Sequence, residues 1–255
     1  MVLTSGTILG QLLSYAVAPV VTRLFSPEEM GEFGVFLRVL TLISTIATAR
    51  YELSLPLPKN DNHSFQLFRL SLRIGLITSF ITLLGVFVYW GFTNFGLINV
   101  VFGLSLVIGT YFLVFYNVGS NWAVRVKAFK SISYTKIIRS ASNNSLRVVF
   151  GFLQLGSIGL ILAFVVSVVI STVYFMTDYF KNARNVMYRA SKAKMRVLSR
   201  TYRDFPRINM PHVLMDSGRE VLVAMFIIFF FDKEIFGSYD HSFRMLQLPL
   251  VVIGS

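Results

Sequence analysis

From Ile74 to Val124 the chain runs for 51 residues without an aspartate, glutamate, lysine, arginine or histidine. About 20 helical residues cross a bilayer hydrocarbon core, so this run is too long for one crossing. Gly91-Phe92-Thr93-Asn94-Phe95-Gly96 lies near its middle and predicts a break between two helices. Such a chain cannot cover itself with polar surface. Of its 255 residues 55% are hydrophobic and 14% charged, with a mean hydropathy of +0.66, whereas soluble domains carry about a quarter charged residues. The expected class is all-α, a polytopic membrane helix bundle.

Local punctuation predicts the other spans. Leu3 to Leu24 is span one, too long for a signal-peptide core and without a cleavage motif, with Pro19 as a kink. Ser26 to Glu32 reads as a polar turn, Phe33 to Ala49 as span two, and Arg50 to Arg73 as a loop with an amphipathic return. Ile74 to Val124 holds spans three and four, Ser131 to Leu155 is a less apolar span five, and Ile158 to Thr177 is span six behind the break Gly156-Ser157. Met210 to Phe231 is span seven, Asp232, Glu234 and Asp240 mark an acidic loop, and Phe243 to Ser255 begins an eighth span. This predicts a six-helix lobe over 1–177, a basic cytoplasmic linker over 178–207, and a second lobe beginning at 208–255 whose two helices stand away from the first six. On the linker Arg189, Lys192, Arg196 and Arg203 share one side, and Met187, Met195, Leu198 and Tyr202 the other, a pattern suited to an anionic membrane surface.

A formal charge of +12 raises the question of nucleic acid, but the basic residues lie in short segments between apolar blocks. With a cytoplasmic N-terminus the inner segments hold eighteen lysines and arginines and the outer ones only Arg23, Lys233 and Arg244. This is the positive-inside pattern, and no nucleic-acid partner is expected. There is no cysteine, and His63, His212 and His241 have no ligand spacing, so neither a metal site nor a cofactor is expected.

One internal repeat is legible. Gly31-Glu32-Phe33 followed by Arg38-Val39-Leu40 matches Gly237-Ser238-Tyr239 followed by Arg244-Met245-Leu246 at a constant offset of 206 residues. The same offset lays span one on span seven. Parallel repeats are a transporter architecture. The repeat predicts a longer natural protein whose second copy continues past Ser255, and the uncharged opening predicts a short polar stretch before Met1.

The run Pro19-Val20-Val21-Thr22-Arg23-Leu24-Phe25-Ser26-Pro27-Glu28-Glu29-Met30-Gly31-Glu32-Phe33-Gly34, with Arg50-Tyr51-Glu52 and Pro58-Lys59, resembles the polysaccharide transporter (O-antigen flippase) family. That family belongs to the multidrug/oligosaccharidyl-lipid/polysaccharide exporter superfamily. The resemblance implies a MATE-like architecture of two six-helix lobes around a central cavity, of which this chain holds one lobe and the first two helices of the other. It also implies a bacterial plasma (inner) membrane location, an isoprenoid diphosphate-linked glycan as substrate, and membrane lipids and other polysaccharide assembly proteins as partners.

Four polar residues on span five, Lys136, Arg139, Asn143 and Arg147, fall within about 80° of one another and rise about 16 Å along the helix. Lys136 and Arg139 either snorkel to the cytoplasmic headgroups or join a cavity wall. Arg147 lies deeper, where a base needs a water-filled cavity or a partner, and spans one to six contain no acid. Arg38, like its counterpart Arg244, is expected near the outer mouth, where it either joins the substrate-binding cavity with Asn143 and Arg147 or snorkels to the interface. Span seven puts Asn209, His212, Asp216, Arg219 and Glu220 on one face. Asp216 and Arg219 read either as an internal ion pair or, with Glu220, as groups coupling an ion gradient to movement.

The expected function is flipping of the lipid diphosphate-linked oligosaccharide for surface polysaccharide, not catalysis. A drug or cation antiporter of the same superfamily should carry a buried acid in its first lobe. A membrane polymerase or ligase would need outer segments longer than Gly91 to Gly96 and Gly156-Ser157.

Overall fold

The structure is a computed structural model that describes residues 2–93, 96–182 and 191–253. Every regular element among them is helical: α1 (Val2–Leu24), α2 (Pro27–Ile46), a 3-10 turn (Tyr51–Ser54), α3 (Asp61–Phe92), α4 (Leu97–Arg125), α5 (Phe129–Phe152), α6 (Gly156–Asn182), α7 (Lys192–Thr201), a π-turn (Phe205–Asn209), α8 (Met210–Phe230) and α9 (Lys233–Ile253). Met187, Arg189 and the Asn94-Phe95 break lie outside the described residues.

Among the described residues α3, α4 and the Gly156–Thr177 part of α6 are long and apolar enough to cross a membrane, by length and composition. Ile8–Leu24 of α1 is a shorter apolar stretch. The other expected spans do not reach that standard, because charges such as Arg139 and Arg147 on α5 lower their apolarity.

Helices start earlier than the polar residues suggest. Ser26 caps α2 in a reciprocal box: its Oγ accepts from the Glu29 N–H at 3.3 Å while its own N–H donates to Glu29 Oε2 at 2.8 Å. Pro27 then fills the first position, where a missing N–H costs nothing. The expected polar turn is therefore mostly the first turn of α2. Likewise Asn60 caps α3 through the Asn62 N–H at 2.9 Å, so that helix begins thirteen residues before Ile74. Asp232 Oδ1 accepts from the Ile235 N–H at 2.7 Å, and α9 starts at Lys233 rather than Phe243. Glu234 and Asp240 are therefore helical, not loop, residues.

Packing runs α1 on α5, α5 on α6, α6 on α4 and α4 on α3, with α2 against α4 and α6. The main core joins Val21 and Phe25, Phe36 and Leu40, Leu106 and Leu113, and Leu160 to Val168 from four of these helices. Small residues let α1 and α5 approach closely. A Cβ on Gly6 would lie 2.7 Å from the Ser133 side chain, and Ser140 Oγ donates to the Gly10 carbonyl at 2.6 Å. Asn144 Nδ2 reaches Ser14 Oγ at 3.1 Å in the same seam.

The two last helices do not stand apart. α9 packs along α2, and α8 also contacts α2. The 206-residue offset holds at the element ends: α1 ends at Leu24 and α8 at Phe230, while α2 begins at Pro27 and α9 at Lys233. Where α2 and α9 cross, a Cβ on Gly31 would meet the Lys233 carbonyl oxygen, and a Cβ on Gly237 would meet that of Pro27. The contact is reciprocal, as at a two-fold axis.

At the far end of α2, Ala49 and Arg50 take left-handed conformations (φ 49° and 62°) and turn the chain into Tyr51–Ser54. Glu52 is buried there, receives a hydrogen bond from Thr48 Oγ1, and lies 3.6 Å from Arg50. Burial raises its carboxyl pKa, against the opposing Thr48 bond and Arg50 charge. The folded state therefore binds this proton more tightly than the unfolded chain, and the group's contribution to stability falls as pH rises from the ordinary carboxylate range through the raised value. Glu52→Gln should narrow the difference between melting temperatures at pH 5 and pH 8 in detergent. An unchanged difference would remove Glu52 as its source.

α7 packs on α3, burying Met195 and Leu198 and exposing Lys192, Lys194, Arg196 and Arg200. Tyr51 Oη donates to the Ser199 carbonyl at 3.0 Å, and the Ser191 N–H donates to Gln66 Oε1 at 3.1 Å. The amphipathic side expected to lie on lipid thus has its apolar face against protein.

Candidate functional site

α1, α2, α5, α6 and α9 line an open-sided cavity of about 290 Å³. Its polar lining comes from Ser14, Asn143, Asn144, Arg147, Asp240, His241 and Arg244, its apolar wall from Phe33, Leu160 and Phe164 among others. The position of Arg147 on α5 follows from the Gly6, Gly10 and Ser14 seam, which holds that helix close to α1. The Arg147 guanidinium lies 5.0 Å from the centre of the Phe33 ring, a cation–π contact. It makes no ion pair among the described residues. Its buried Nε and the buried Asn143 Oδ1 have no hydrogen-bond partner there. Groups of this kind cost stability when left unsatisfied and are suited to a polar occupant.

The α5 stripe divides. Asn143 and Arg147 share the cavity. Arg139, two turns away, lies 5.3 Å from the Tyr116 ring centre and 5.2 Å from that of Phe164, against α4 and α6. It is a packed cation, outside the cavity lining, and Lys136 lies beyond it. Neither lines that cavity.

Arg38 takes a different place again. Its side chain is 9% exposed, lies 4.8 Å from the Phe236 ring centre and pairs with Asp240 of α9 at 2.5 Å. Arg244 pairs with the other oxygen of Asp240 at 2.5 Å and lies 5.6 Å from the Phe33 ring centre. The two arginines related by the 206-residue offset thus share one carboxylate, and that carboxylate stands at the position matching Gly34. A smaller cavity of about 170 Å³ is lined by Arg38, Thr41, Glu220, Asp240 and Arg244. Glu220 is therefore near the α2–α9 charges. Asp216 and Arg219 pair with each other at 3.2 Å and are exposed, away from both cavities.

Asp240, His241 and Arg244 were legible as residues but not as site members. Asp240 sits in a polar stretch that reads as loop, and only the repeat match of Arg38 with Arg244 hints at its neighbours. No cluster of three metal-ligating side chains occurs among the described residues. In comparison with known proteins, no family model, curated protein or solved structure matches this chain.

Proposed function

We propose that this chain belongs to a membrane transporter that carries a lipid diphosphate-linked oligosaccharide across the bacterial plasma membrane for surface polysaccharide. The observation that carries this reading is the cavity in which Arg147 and Arg244 lie over the same Phe33 ring and Arg147 has no acidic partner among the described residues. A dianionic diphosphate is the kind of group that two guanidiniums recognise by paired hydrogen bonds.

A membrane setting is supported by the three long apolar helices and by large apolar side chains left exposed, such as Phe80, Phe87, Phe92, Met215, Phe226 and Phe229. The charge asymmetry supports a cytoplasmic N-terminus. On this reading α1 to α6 form one lobe of a MATE-like pair, α8 and α9 open the second, and the cavity lies between them. A drug or cation antiporter is less well supported. The acid in the cavity, Asp240, is already engaged by two arginines, which leaves the lining cationic.

The test is reconstitution of the protein in liposomes with a fluorescent isoprenyl diphosphate oligosaccharide. Protein-dependent exposure of the label to an external quencher is the expected result. Movement of a cationic dye but not of the diphosphate lipid would favour the antiporter and overturn the proposal.

A further inference from the structure

Asp240 is the one acid among the described residues that meets two guanidiniums, and its side chain is only 6% exposed. Its partners differ. Arg38 is packed, 9% exposed, and faces the smaller cavity. Arg244 is 35% exposed and lines both cavities, so the same side chain reaches Asp240 and the space occupied by Arg147. Removing Asp240 would leave Arg38, Arg147 and Arg244 together, with only Glu220 across the smaller cavity as an acid among the lining residues, and with His241 beside Arg244. Crowded cations of this kind are costly in a poorly hydrated site.

A carboxylate and a phosphate offer a guanidinium the same geometry, two oxygens for two N–H donors. We infer that Asp240 is the resident counter-anion of Arg244. It holds that arginine while the cavity is empty and gives it up when a phosphate enters beside Arg147. Arg38 keeps Asp240 neutralised during the exchange, which is why the carboxylate sits between two arginines and not against one. Arg244 is then the second phosphate-binding residue of the site, supplied by α9, and Asp240 sets how tightly the empty site accepts an anion. This rests on the anion-binding reading of the Arg147 cavity.

Competition of this kind lowers apparent affinity by the fraction of time Arg244 is engaged elsewhere. Farnesyl diphosphate binding to the purified protein in nanodiscs, with farnesol as the uncharged control, measures it. Asp240→Asn should bind farnesyl diphosphate about tenfold more tightly than wild type and farnesol no differently. Arg244→Gln should bind the diphosphate about tenfold more weakly, and adding Asp240→Asn to it should restore nothing. If Asp240→Asn alone does not fold, Arg38→Gln/Asp240→Asn removes one charge of each sign and should show the same gain. A folded variant of either kind with wild-type diphosphate affinity overturns the exchange. Equal binding of farnesyl diphosphate and farnesol by wild type would instead overturn the anion site itself.

Discussion

Gly237→Val is expected to abolish recovery of monodisperse protein from detergent extracts, and Gly31→Val to do the same. The two glycines face each other where α2 crosses α9, and a Cβ on Gly237 would run into the Pro27 carbonyl oxygen and lie 2.8 Å from the Gly31 nitrogen. Both obstacles are backbone, so no side chain can rotate aside. Overpacking that side chains can absorb costs about 1–3 kcal/mol, and two helices forced apart along their length should cost more. The loss would reach Asp240, whose pairing with Arg38 depends on the same close approach. Gly218 of α8 supplies the control, since a Cβ there meets nothing within 4 Å. Gly218→Ala should be neutral or stabilising, by up to about 1 kcal/mol. A well-behaved Gly237→Val protein with an unchanged melting temperature would mean that α2 and α9 do not cross this way.

Arg147→Glu is expected to stop glycan export in cells while leaving protein abundance near wild type. The substitution puts a carboxylate in the cavity beside Arg244, where it would pair with that arginine and repel a diphosphate. Loss of one partner from a buried charge contact costs about 2–5 kcal/mol, roughly 30-fold to several-thousand-fold in affinity. Folding should suffer less, because the lost cation–π contact with Phe33 is worth about 0.5–2 kcal/mol and the repulsion between Arg147 and Arg244 disappears with it. Arg147→Ala should also abolish export, and Arg147→Lys should keep part of it, since an ammonium retains the charge but not the fork. Surface glycan at wild-type level in an Arg147→Glu strain would exclude this residue from the transport path.

The breaks that depend on local chemistry were legible in the sequence. Gly156, at φ +59°, ends the turn after α5 because few other residues adopt that conformation, and α3 gives way to α4 across the Gly91 to Gly96 segment. Helix starts were misplaced wherever polar residues cap instead of interrupting: Ser26, Asn60 and Asp232 each satisfy free N–H groups in the first turn and so extend the helix backwards. The charged stripe on α5 was visible by periodicity, but periodicity alone could not separate Arg147 in a cavity from Arg139 between two rings. That distinction depends on how α4 and α6 pack beside Arg139 and on α1, α2 and α9, remote in sequence, which surround Arg147. The repeat paired Arg38 with Arg244 correctly by number. What it could not supply was the carboxylate between them, because nothing in the first copy resembles it: the matching position is Gly34.

The docking of α7 shortens the leash between the two halves of the chain. Its Tyr51 and Gln66 contacts tie Ser191 and Ser199 to the end of the α2–α3 region, so among the described residues the slack between α7 and α8 lies in residues 202–209, part of which is wound into the π-turn. A tether that short leaves little room to diffuse and keeps α8 at a high local concentration beside α2. Swinging motion of α8 and α9 against the first six helices would have to be taken up by a few backbone torsions around Tyr202 to Asn209, with Phe205-Pro206 as the stiff point of the joint.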